Sequence, residues 1–161
     1  MVEEKEKLSI VVFSGELDKV LAAFMLATTG ASMGMAVTMY FTFWGLNAIK
    51  KKSGTIRSKG LMRKMLNRLN RGGTNRLKMG HFHMLGLGTW MMKKLMKEIN
   101  LPSIDEFFEM TKSMDVKIIA CTTSCGFMGL GEDAFRDEVD VMTGAAYFLG
   151  EARKSKVTLF I

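Results

Sequence analysis

Apolar positions along the chain fall into short, nearly continuous runs separated by longer segments with helical spacing. Leu8-Ser9-Ile10-Val11-Val12-Phe13 is rich in β-branched and aromatic residues, the pattern of a strand covered on both faces. It ends at Ser14-Gly15. Glu16, Leu17 and Asp18 then open an amphipathic helix with acidic residues in its first turn, Leu17, Leu21, Phe24 and Leu26 on its core side and Gly30 as its predicted end. Met35 to Phe43 is a second, aromatic-rich strand, and Trp44 to Asn47 forms its exit. The first β-α-β unit is complete at this point, and its crossover is expected to be right-handed.

The middle of the chain is less regular. Leu46 to Lys52 predicts a short helix. Between Ser53-Gly54 and Gly72-Gly73, the basic stretch Ile56 to Asn70 places Leu61, Met65, Leu66 and Leu69 at helical spacing, which predicts an exposed basic helix or a flap. Gly80 to Gly88 is a glycine-spaced loop carrying His81 and His83, and Thr89 is the predicted cap of a helix over Trp90 to Glu98 with Met91, Met92, Leu95 and Met96 on one face. Ser103 and Glu106 have the spacing of a capping box before Phe107 and Phe108.

The remaining elements return to strand patterns. Val116 to Ala120 predicts a buried strand that delivers Cys121 to its carboxyl end, where Thr122, Thr123 and Ser124 can open a helix. Val139 to Met142 is a short strand, Thr143 the predicted cap of a last helix over Gly144 to Arg153, and Val157 to Ile161 the fifth strand. Strands alternating with helices indicate an α/β protein with a mostly parallel sheet. At 161 residues the expectation is a single domain, 1–161, with a basic insertion or flap at about 50–88.

Charge sharpens this picture. The formal net charge is +7, yet no aspartate or glutamate occurs between Lys19 and Lys97, and Lys50 to Lys78 holds eleven of the 23 lysines and arginines. Such a block suits a solvated face or a docking site for an acidic partner or anionic substrate. Nucleic acid is disfavoured, because no aromatic residue interleaves these charges to stack on bases. The thirty residues Val20 to Ile49 carry no charge and are followed by Lys50-Lys51-Lys52, so a membrane span is considered. The small and polar residues Thr28 to Gly34 interrupt that run, and membrane association is disfavoured.

Candidate chemistry gathers at Cys121 and Cys125, the only two cysteines. A charged amino terminus with no secretory pattern points to an intracellular, cytoplasmic protein with reduced thiols. The carboxyl edge of a parallel sheet is where ligands collect, and a helix start beside Cys121 favours its thiolate. Cys125 reads equally as a resolving thiol, a second carrier or packing. His81 and His83, with Ser14, Gly15, Ser124 and Gly126, are candidates for the surrounding substrate site. No metal is expected: H-x-H with C-x3-C lacks the usual zinc spacing. No cofactor is expected either, since neither G-x-G-x-x-G nor a P-loop follows a strand.

The strand ending in Ala120-Cys121, then Ser124, Met128-Gly129, Val139-Asp140-Val141 and Gly144, resembles the DsrE/DsrF-like family of sulfur-relay proteins, with Cys121 and Gly129 at the family's eight-residue spacing. The resemblance implies a three-layer α/β/α domain with a five-stranded, mainly parallel sheet, and a homo-oligomer, often a trimer or hexamer. It also implies a cysteine that carries sulfur as persulfide or thiosulfonate, and partners such as small TusA-type sulfur carriers or rhodanese-like proteins. Cys125 and the long basic segment depart from the shorter members. The expected function is a cytoplasmic sulfur carrier or sulfurtransferase-like protein using Cys121. The alternatives are a non-catalytic binding or scaffold protein with a structural cysteine, and a metal- or nucleotide-binding flavodoxin-like domain.

Overall fold

Five strands, β1 (Lys7–Val12), β2 (Ala36–Phe41), β3 (Lys117–Cys121), β4 (Val141–Thr143) and β5 (Val157–Phe160), form one all-parallel sheet in the order β4-β3-β2-β1-β5. The computed structural model describes residues 5–51, 60–70, 72–81 and 83–161. Part of the predicted basic stretch, 52–59, lies outside the described residues, as do Arg71 and Phe82.

Helices α1 (Leu17–Ser32), α2 (Leu46–Ile49), α3 (Leu61–Leu69), α4 (Leu87–Glu98), α5 (Ile104–Ser113), α6 (Thr122–Met128) and α7 (Ala145–Ala152) connect the strands, with short 3-10 turns between some of them. Strand alternation divides the side chains between two faces. Ile10, Val12, Met39, Phe41, Ile118 and Ala120 join the larger core with Phe24 of α1, Phe107 and Phe108 of α5, and Cys125 and Met128 of α6. Val11, Tyr40, Ile119 and Cys121 point the other way and pack with Phe148 of α7. The result is the expected three-layer α/β/α arrangement, with a thick helical layer on one face and α7 on the other.

The capping box forms as its spacing predicts: Glu106 N–H donates to Ser103 Oγ at 3.3 Å, and Ser103 N–H to Glu106 Oε2 at 2.7 Å. Other boundaries move for tertiary reasons. Gly30 does not end α1; it is buried inside the helix, where a Cβ would stand 2.6 Å from Leu8 Cδ2, so the glycine serves close helix-strand packing. Thr89 is not a cap. Its hydroxyl accepts from Met79 N–H at 3.1 Å while α4 starts two residues earlier, after Gly86 at φ 100°.

Thr143 likewise lies in β4 and leaves Gly144 as the N-cap of α7. The predicted apolar face of α4 is divided: Met96 is buried and Met92 packs on the core, while Met91 and Leu95 are exposed. The uncharged run from Val20 is split between α1, β2 and α2, and among the described residues no helix is long and apolar enough to cross a membrane.

Candidate functional site

Cys121 is the last residue of β3 and the N-cap of α6, with φ −73° and ψ 114°. This is the predicted position at the carboxyl edge of the sheet. Its neighbours come from the flanking strands. Thr143 of β4 is its register partner, and Tyr40 of β2 pairs with Ile119 one side-chain repeat away on the same face. Thr42, just beyond β2, shares a buried hydrogen bond with Ser124 of α6, Oγ to Oγ at 2.8 Å. Four hydroxyl-bearing residues therefore gather around one sulfur at the rim of an otherwise apolar cluster.

Burial pushes the Cys121 thiol up, but the Tyr40 hydroxyl, the Ser124 amide and hydroxyl and the Thr42 hydroxyl outweigh it and bring the group down to about 7. The sulfur closes no cap hydrogen bond, and Tyr40 Oη has no hydrogen-bond partner. These donors thus stand near the thiol without locking onto it, and their pull is exerted as charge develops on the sulfur. Burial and Cys121 itself raise the Tyr40 phenol, which stays protonated and able to donate.

Cys125 has the opposite environment. Its side chain belongs to the larger core on the other face of the sheet, and burial together with the neighbouring Cys121 raises it to about 12, against the lowering effect of Lys50. Both cysteines are free and buried. Lys50 is itself buried, with Nζ donating to Asn47 Oδ1 at 2.9 Å and its stem against Gly72, and burial lowers it to about 8.

The remaining predicted site residues do not converge on the sulfur. Ser14 Oγ accepts from Glu16 N–H at 3.1 Å, and Gly15 sits where a Cβ would be 2.5 Å from Trp44 O, so both shape the turn after β1, two strands from β3. The histidine loop packs on the start of α1: Leu17 N–H donates to Lys78 O at 2.8 Å, Gly80 N–H to Asp18 Oδ1 at 3.3 Å, and His83 Nδ1 lies 3.2 Å from Thr89 Oγ1. Of the predicted surrounding residues, Ser124 adjoins Cys121 directly, and Gly126 borders open space on α6. Among the described residues no group of three or more His, Cys, Asp or Glu side chains is arranged to hold a metal.

The basic segment does reach this edge, since α3 runs beside α6. A row of partly exposed rings, Phe160, Phe13, Phe43 and Phe127, also follows the edge with successive centroid separations of 5.7, 5.5 and 6.4 Å.

In comparison with known proteins, residues 4–160 match the DsrE/DsrF/DrsH-like family. The chain belongs to that family. It is 34% identical, over the full length of both chains, to the uncharacterized protein YrkE of Bacillus subtilis. It is 32% identical to the sulfur carrier protein DsrE2 of Allochromatium vinosum, covering 98% of this chain and 99% of that one. The fold is similar to that of the crystal structure of ychN from E. coli, with TM-score 0.56 and 10% identity over 97% of this chain and 99% of the other.

Tyr40, Thr42, Thr143 and Lys50 did not stand out as site residues in the sequence. Hydroxyls at alternate positions of an otherwise apolar strand, Thr38, Tyr40 and Thr42, were the available signal.

Proposed function

We propose that this protein is a sulfur carrier that holds sulfane sulfur on Cys121 and hands it to a partner thiol. The observation that carries the reading is the poised sulfur itself: a strand-end cysteine brought down to about 7 within a ring of donors. Family membership and a relative of equal length named as a sulfur carrier support it.

In the loading step the Cys121 thiolate attacks the outer sulfur of a persulfide donor. The new S–S bond forms as the donor's S–S bond breaks, and the bonding pair leaves on the donor thiolate. In the unloading step an acceptor thiolate attacks the outer sulfur of the Cys121 persulfide, and Cys121 leaves as thiolate. Sulfur moves at constant oxidation level and no external oxidant is consumed. A leaving group near neutrality suits both directions, because a lower thiol pKa makes a faster leaving group while enough thiolate remains to attack. Cys125, held as a thiol in the core, has a packing role in this scheme.

The basic α3 lies beside α6, and the row of phenylalanines follows the carboxyl edge of the sheet at which Cys121 ends β3. They support a protein partner with an acidic rim, in keeping with a TusA-type or rhodanese-like carrier; a homo-oligomer in the cytoplasm completes the proposed reading. The test is intact-mass measurement after incubating the reduced protein with polysulfide or tetrathionate. The reading requires a sulfur or thiosulfonate adduct that disappears in Cys121→Ser; no adduct under conditions that modify a control thiol rejects it.

A further inference from the structure

Among the described residues, two buried side-chain polar atoms have no hydrogen-bond partner: Tyr40 Oη and Thr143 Oγ1. They are on the two strands that flank Cys121. Thr143 pairs with Cys121 across β3 and β4, which brings their Cβ atoms to about 5 Å on the same face. Tyr40 stands one repeat back on β2, and its long side chain spans that offset; its ring stacks on Phe148 at 4.7 Å, which fixes its direction. Tyr40 is 4% exposed and Cys121 5% exposed, so water does not readily take the place of a missing partner.

A buried hydroxyl left unpaired is destabilising. Two of them on the strands flanking one reactive sulfur are donors that the protonated thiol leaves unpaired and that an anionic sulfur can accept. We propose that Tyr40 and Thr143 are positioning residues that donate hydrogen bonds to the terminal sulfur of a Cys121 persulfide, making the site selective for a sulfane sulfur over a thiosulfonate. This rests on the carrier reading above.

The chemistry of the gap decides between the two adducts. A persulfide adds one polarisable atom that accepts from two donors at once, and it is anionic at neutral pH. A thiosulfonate adds three oxygens that carry the charge. Two donors within an apolar cluster of Val11, Ile119 and Phe148 leave part of such a group unsatisfied. The hydroxyls of Thr42 and Ser124 share one hydrogen bond with each other, and the donor capacity left to them, with the Ser124 amide, is directed at the Cys121 sulfur itself.

Charged side chains on the same layer are remote from the sulfur. Lys7 pairs with Glu151, and Lys117 with Tyr147, at the opposite edge of the sheet where β1 and β3 begin. The titratable group that acts on Cys121 is therefore Tyr40, while Cys121 in turn raises Cys125 on the other side of the sheet.

The test compares wild type, Tyr40→Phe, Thr143→Val and Thr143→Ser. Each protein is loaded with polysulfide and separately with tetrathionate, and loss of the adduct is followed by intact mass. Thr143→Ser, which keeps the hydroxyl, guards against a change that is only structural. The proposal expects the persulfide to decay several-fold faster in Tyr40→Phe and Thr143→Val, with Thr143→Ser close to wild type and any thiosulfonate adduct unaffected. Equal persulfide lifetimes in all four proteins overturn it, as does a thiosulfonate adduct that outlasts the persulfide in wild type. If wild type accepts no sulfur at all, the carrier reading fails. The donors are then judged by alkylation of Cys121 against pH: a midpoint raised by about one pH unit in Tyr40→Phe retains them as partners of anionic sulfur, and an unmoved midpoint removes them.

Discussion

Replacing Lys50 with methionine is expected to stabilise the protein near neutral pH and to lose that advantage in alkali. Lys50 is 6% exposed and bonded through Nζ to Asn47, and burial lowers its amine from 10.5 to about 8. At about 1.4 kcal/mol per pH unit, holding the charged amine in that site costs about 3 kcal/mol. Between about 8 and 10.5 the unfolded chain retains the proton that the folded chain has released, so stability rises with pH across that window. Below about 8 the penalty is present in full. Cys125 offers no compensating anion there, because it stays a thiol up to about 12.

Methionine keeps the length of the stem and removes the charge. It also removes the bond to Asn47, worth about 1 kcal/mol, but Asn47 Oδ1 keeps its second donor, Asn70 Nδ2, at 3.1 Å. The net expectation is a gain of about 2 kcal/mol for Lys50→Met at neutral pH, falling to a loss of about 1 kcal/mol once the unfolded lysine is also neutral. Urea unfolding of both proteins at a series of pH values from neutrality to above 10.5 measures the difference directly. A stability difference that does not change with pH refutes the account of Lys50 as a buried, desolvated cation.

Three further outcomes follow from local geometry. Ser103→Ala removes one half of the capping box and lowers stability by about 1 kcal/mol in chemical denaturation. Gly45→Ala places a Cβ 2.0 Å from the Val12 carbonyl oxygen, a backbone contact that side-chain adjustment does not relieve, and is expected to cost more than about 3 kcal/mol or to prevent folding, read as lost soluble yield and lowered Tm. Iodoacetamide labelling of the native protein is half-maximal near pH 7 at Cys121 and absent at Cys125 until the chain unfolds, as peptide mapping will show.

The order of strands and helices, the position of Cys121 at a strand end and the capping box are all local properties, and they were legible in hydrophobic period and residue spacing. What was not legible depends on a tertiary partner. Thr89 looks like a cap until Met79 N–H takes its hydroxyl, and Gly30 looks like a terminator until Leu8 is packed against it. Lys50 reads as one more member of a basic block, because nothing in composition distinguishes the lysine that is buried.

The two cysteines illustrate the same limit. Their four-residue spacing suggests one helical face, but Cys121 is the N-cap and points toward α7, whereas Cys125 enters the core beneath the other face. The hydroxyls around Cys121 come from β2, β4 and α6, and only the strand order and register bring them together.

Whether Cys121 carries transferable sulfur is decided by locating that sulfur and following its departure. Wild-type protein is loaded with polysulfide, freed of excess reagent, and mixed with a reduced thiol acceptor, with peptide mapping by mass before and after. One added sulfur is expected on the peptide containing Cys121, with its loss on mixing and its appearance on the acceptor, all unchanged in Cys125→Ala and absent in Cys121→Ser. Sulfur found on Cys125, or sulfur on Cys121 that no acceptor thiol removes, would contradict it.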